Sequence, residues 1–249
     1  MGELGAAGPF PTGARLIPID VPIEYVVVGT FGPTAAAMSV HWLRERNLRA
    51  FRVFAPCPLV VLGTLAGMVL IAAAFAIIPG IFMSKGPPES LHWGVFAAIP
   101  TFVNWSTFFG GPVGEEPGWR GYALPRLQAH FGPVPASVIL GLVWTGWHLP
   151  MFLIKGWVSV SFPIYAAILI CASILLTWGA NVSRFSVVVP VLLHAAFNTS
   201  SSVLGGLLGS AGMRENPPPQ IVFFLSSLSV VAAVAAATRG RLGARRGSG

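Results

Sequence analysis

The chain of 249 residues is short of charge: 9% of its residues are Asp, Glu, Lys or Arg, against about 25% in an ordinary soluble domain. With 54% hydrophobic residues and a mean hydropathy of +0.74, that shortage excludes a soluble globular enzyme. Cysteine is scarce as well. Cys57 and Cys171 lie inside apolar runs without CxxC or Cys/His spacing, which excludes a disulfide framework and a structural zinc site and leaves them as packing residues. No HExxH occurs, so a soluble zincin site is absent. The first twenty residues lack the basic n-region and apolar h-region of a cleavable signal peptide, and targeting falls to the first membrane span. Lysine is nearly missing, two against thirteen arginines, and with abundant Ala and Gly this is the composition of a bacterium with a GC-rich genome.

What the chain does have is net charge +7 and a pI near 10.5. On a soluble chain this would suggest nucleic acid. Here the basic residues gather at the ends of apolar runs and no nucleic-acid module is visible, so they read as topology determinants facing anionic lipid. Seven runs approach the roughly 20 apolar residues that a membrane helix needs. They extend from Ile23 to Leu43, Val53 to Met83, Leu91 to Phe109, Pro133 to Leu153, Ser159 to Ala180, Phe185 to Gly209 and Gln220 to Thr238. The expected organisation is an extramembrane segment 1–20, one all-α transmembrane bundle over 21–238 and a basic tail 239–249. Arginine clusters after the first, third, fifth and seventh runs place the N-terminus outside and the C-terminus in the cytoplasm.

Charge inside or beside a span costs about 2.5–3.5 kcal/mol at the bilayer centre even on a lenient scale. Three places hold most of it: Gly114-Glu115-Glu116-Pro117-Gly118-Trp119-Arg120, then His148 in Trp144-Thr145-Gly146-Trp147-His148, then His194 with Asn198. On a helix, residues four apart lie about 40° from alignment. Glu116 thus shares a face with Arg120, and His194 with Asn198. Glu115 lies roughly 140° from Arg120, which leaves it pointing elsewhere, free to meet the two histidines. Pro117 weakens this geometry if it opens a new helix. Converging in a membrane, these groups suit hydrolysis: Glu115 activating water, one His positioning that water or protonating the leaving amine, the other His with Asn198 stabilising the oxyanion. Glu115, His148 and His194 are equally a catalytic zinc ligand set.

The order Glu115-Glu116-x-x-x-Arg120, Trp144-x-x-x-His148 and His194-x-x-x-Asn198 resembles the three motifs of the intramembrane CAAX-protease and bacteriocin-processing family, also called CPBP or ABI. The likeness covers Phe109 to Ser201 and is strengthened by Gly118-Trp119-Arg120-Gly121-Tyr122-Ala123-Leu124-Pro125. It implies an all-helical membrane peptidase whose first Glu, Glu115, activates water, with His148, His194 and Asn198 completing the site and Glu116, Arg120 and Trp144 supporting it. It leaves a metal-free site and a zinc enzyme both open, the metal-free form being preferred. Trp144 stands where Phe is usual.

The expected partners are the bilayer and a peptide or protein substrate in or at it, in a bacterial plasma membrane, with no nucleic acid. Two other classes fit the same residues: a non-catalytic peptide-binding immunity or scaffold protein, and a transporter relaying protons through Glu and His. Structural ion pairing explains Glu115, Glu116 and Arg120 more blandly, and interhelical glue explains His194 and Asn198. His41, His92 and His130 read as interfacial, non-catalytic side chains. Counted along straight spans, His148 lies about 20 Å deep while Glu115 stays at the interface. A broken or re-entrant helix over 113–131 reconciles the two depths, and a full crossing there would make eight spans.

Overall fold

Proline stands in the first turn of most of the helices, where its missing N–H would have no intrahelical acceptor. The computed structural model describes residues 23–46, 111–153, 158, 160–198 and 219–244, and every regular element among them is a helix. In chain order these are α1 (Ile23–Gly29), α2 (Gly32–Glu45), α3 (Pro112–Glu116), a π-helical stretch (Pro117–Ala123), α4 (Leu124–Phe131), α5 (Pro133–Trp147), a 3₁₀ stretch (Leu149–Leu153), α6 (Phe162–Val182), α7 (Val188–Asn198) and α8 (Pro219–Ala237).

Among the described residues, three helical stretches are by length and composition able to cross a membrane: Tyr25–Glu45, Pro133–Leu153 and Phe162–Val182. They answer the first, fourth and fifth expected runs. The seventh corresponds to α8 and the sixth in part to α7. The runs Val53 to Met83 and Leu91 to Phe109, the segment 1–20, Cys57 and His92 lie outside the described residues. The first run differs from expectation in being two helices. Pro33 cannot donate back to Gly29, so the ladder breaks at Thr30 and Phe31, where Thr30 Oγ1 donates to the Val27 carbonyl instead.

Between helices in lipid there is little hydrophobic gain, so close approach and polar contacts decide the packing. The α5–α6 pair shows both: a Cβ on Gly141 would come within 3.0 Å of Ile170 Cα, and Ser173 Oγ donates to the Ser137 carbonyl at 2.8 Å. Trp144, Leu169, Ala172 and Leu176 form the core of this pair, with Trp119, Tyr165, Leu193 and Phe197 against it. Cys171 is buried on α6, as a packing residue should be. α8 lies on α6, where Phe223 meets Ile168.

At the far end of α6, Asn181 accepts from Gln128 Nε2 on α4 at 3.0 Å and donates to the Leu242 carbonyl at 2.9 Å. Turns with positive φ at Arg239, Gly240, Leu242 and Gly243 tuck Leu242 wholly inside the protein. His41 departs from the interfacial expectation: it is buried, its ring 6.0 Å from that of Tyr122. His130 is exposed as expected.

Candidate active site

The carboxylates lie where the backbone changes pitch. Gly111 has φ +154°, a conformation that side chains rarely adopt, and this allows the chain to turn directly into Pro112 and α3. Five residues on, Pro117 brings no N–H to the ladder and its ring crowds the carbonyl four residues before it. The helix opens into π geometry over Pro117–Ala123, and Leu124 N–H reaches the Trp119 carbonyl, five residues back. It closes into α4 without leaving the helical path. The structure thus gives a helix of altered pitch through the Glu-Glu motif.

Two glycines bring α2 against this segment. A Cβ on Gly114 would lie 2.9 Å from the Thr30 backbone, and one on Gly118 would lie 2.4 Å from the Pro33 carbonyl, so neither position has room for a side chain. Between them sits the Thr34 hydroxyl. It donates to the Gly114 carbonyl at 2.5 Å and accepts from Gly118 N–H at 3.1 Å.

Glu115, Glu116, Arg120, Trp144 and His194 are all buried. Glu116 Oε1 takes Arg120 Nη1 at 3.0 Å, the i, i+4 pairing expected, and also His194 Nδ1 at 2.8 Å. The second contact corrects the expectation that Glu115 would be the carboxylate meeting both histidines. In this structure Glu115 Oε2 accepts from Trp144 Nε1 at 2.5 Å. The reason is the bundle's geometry: α7 delivers His194 to the Glu116 side, whereas α5 delivers Trp144 to Glu115. Yet the other ends of Glu115 and His194 converge. Glu115 Oε1 and His194 Nε2 each lie 3.5 Å from the point that a Cβ on Gly111 would occupy, so both border one small space.

Trp144 is the hub of the site. The Arg120 guanidinium carbon lies 4.6 Å from its ring centroid, and the rings of His194 and His148 stand edge-on at 4.9 Å and 5.7 Å. His148 ends α5 and turns its Nδ1 to the Trp144 carbonyl at 2.8 Å, with Tyr165 on its other side at 5.8 Å. It is partly buried. Asn198 lies one turn beyond His194 on α7, partly buried. Glu116 Oε2 and Arg120 Nε and Nη2 are buried without a hydrogen-bond partner among the described residues. No group of three or more His, Cys, Asp or Glu side chains placed to hold a metal ion occurs among those residues; His148 and His194 each engage Nδ1, which leaves Nε2 as the nitrogen of each ring not used in those bonds.

Residues 95–200 match the family model for Rce1-like type II CAAX prenyl endopeptidases. Over this stretch the chain is similar to the CAAX proteases. The matched stretch contains all three motifs and begins somewhat before the stretch on which the resemblance was read. A curated CAAX prenyl protease 2 from Methanococcus maripaludis is 29% identical over 101 residues, covering 36% of each chain. The chain therefore aligns with little more than a third of that relative's length. Three contributors carry no motif: Thr34, Gly111 and Tyr165. Only the Gly114-x-x-x-Gly118 spacing, a small-residue pattern that marks close helix contact, could have pointed to α2 as a neighbour.

Proposed function

We propose that this protein is an intramembrane endopeptidase that hydrolyses a peptide bond of a membrane-associated or lipid-anchored substrate with water activated by Glu115. The observation that carries the reading is the pairing of Glu115 Oε1 with His194 Nε2 around one space, while the remaining atoms of both side chains are tied down. A general base works only if held within hydrogen-bond reach of the proton it takes. The Trp144 indole holds Oε2 and leaves Oε1 for the water. Glu116, anchored by Arg120, accepts from His194 Nδ1 and so fixes which ring nitrogen faces the space.

His194 Nε2, facing the space, is assigned to the oxyanion, with Asn198 as the second donor. His148, against Tyr165, is left to position water or to protonate the leaving amine. Every step here is assigned to side chains.

The relative's name, a prenyl protease, makes a lipid-modified C-terminal segment one candidate substrate class. The arginine pattern supports a plasma-membrane protein with its C-terminal tail in the cytoplasm. The test is detergent-purified wild type beside Glu115→Gln, His148→Ala and His194→Ala on a quenched membrane-peptide library, with and without chelator. Cleavage lost in all three variants supports the assignment. Variants that cut like wild type overturn it, and chelator sensitivity with metal rescue replaces the metal-free form by a zinc one.

A further inference from the structure

We infer that Thr34, on α2 and far in sequence from every motif, is a positioning residue for the catalytic carboxylates: its hydroxyl splices the helix that carries them. The inference rests on the peptidase reading above and adds a part to it. In an unbroken α-helix, Gly118 N–H would donate to the Gly114 carbonyl, since i to i−4 is the helical bond. Here both groups bond to Thr34 Oγ1 instead, the carbonyl accepting at 2.5 Å and the N–H donating at 3.1 Å. One hydroxyl therefore completes both halves of a bond that the π-helical stretch has opened.

The placement matters because Glu115 and Glu116 lie between the two spliced glycines. A π turn rotates the chain less per residue than an α turn, so the splice helps set where each carboxylate points. Glu116 thereby meets His194 while Glu115 meets the indole of Trp144. Without the hydroxyl, the carbonyl and N–H either stay unpaired in a dry interior or close on each other. Unpaired groups are costly; closure tightens the helix and rotates the carboxylates away from α5 and α7. The close approach that brings the hydroxyl to both groups depends on the two glycines, since a Cβ on Gly114 would meet the Thr30 backbone and one on Gly118 the Pro33 backbone.

The experiment compares Thr34→Ser, which keeps donor and acceptor, with Thr34→Val, which keeps the shape and loses both. Each full-length variant in detergent is assayed for kcat and KM per folded molecule on a cleaved peptide, and for backbone hydrogen exchange over residues 112–124. Thr34→Val is expected to exchange faster in that segment and to lose about tenfold to a hundredfold in kcat with KM unchanged, the scale set by small misplacements of catalytic groups. Thr34→Ser is expected to match wild type in both.

Wild-type exchange in Thr34→Val overturns the splice. Faster exchange with full kcat overturns the positioning role, and a Ser variant as impaired as Val overturns the hydroxyl as the cause. Glu115→Gln runs in parallel. If it cuts as fast as wild type, the peptidase assignment falls and takes the kcat part of the inference with it, while the exchange result still decides the splice by itself.

Discussion

Two buried polar clusters occupy the same apolar bundle, and they are built on opposite plans. Around Asn181 the bonded groups are neutral and both ends of the amide are engaged, Gln128 on one side and the Leu242 carbonyl on the other. Around Glu116 the groups are ionisable, the backbone leaves α geometry, and Glu116 Oε2, Arg120 Nε and Nη2 and Trp119 Nε1 remain without partners among the described residues. The first cluster ties α4, α6 and the C-terminal turns together, whereas the second gathers ionisable groups at the Glu-Glu motif. At the second cluster the helix itself departs from α geometry beside the two carboxylates, as local rules often do at functional sites.

The contrast is broken most directly at Glu115. Glu115→Gln keeps an acceptor for the Trp144 indole and removes the base, so kcat is expected to fall by about 10²–10⁴-fold with the protein still folded. Initial rates on a cleaved peptide beside thermal unfolding check both halves. If the rate persists, the charged cluster is architecture like its neighbour. His194→Ala comes next: it deletes the proposed oxyanion donor, and kcat is expected to drop by about 10²–10³-fold in the same assay.

Trp144→Phe introduces the usual aromatic of the resembling family and removes the indole N–H together with the pyrrole part of the ring. A loss of roughly tenfold in kcat at unchanged KM is expected, close to what one hydrogen bond to a charged group provides. Asn181→Ala gives the opposite signature. It strands the Leu242 carbonyl and the Gln128 amide, lowering stability by about 1–3 kcal/mol while the rate per folded molecule stays at the wild-type level. Denaturant unfolding in detergent paired with active-site titration separates the two quantities, and a rate that falls with Asn181→Ala merges the clusters into one.

How far the sequence anticipated this arrangement depends on whether the cause is local. Pro133–Leu153 and Phe162–Val182 were readable because an unbroken apolar run between breakers is enough to define a span. The Glu116–Arg120 pair was readable because helical spacing alone makes it. The partner of His194 was not: spacing within one helix says nothing about which of two adjacent carboxylates a distant helix will meet. The π-helical stretch was hidden for a similar reason. Pro117 marks a disturbance, but the hydroxyl that bonds Gly114 beside it comes from 80 positions away in the chain. Likewise His41 resembled a surface residue until Tyr122 was placed beside it.

Thr34 also bears on where a minimal catalytic fragment can be cut. The stretch matched by the family model starts at residue 95 and contains all three motifs, which makes it the natural choice for a truncated version of this protein. Such a fragment would carry Glu115, His148 and His194 and leave behind α2, against which Gly114 and Gly118 are fitted without room for a single methyl group. Motif content and the unit able to hold those motifs in working register are thus of different length in this chain, and a shortened version would have to keep α2 to be more than a list of the right residues.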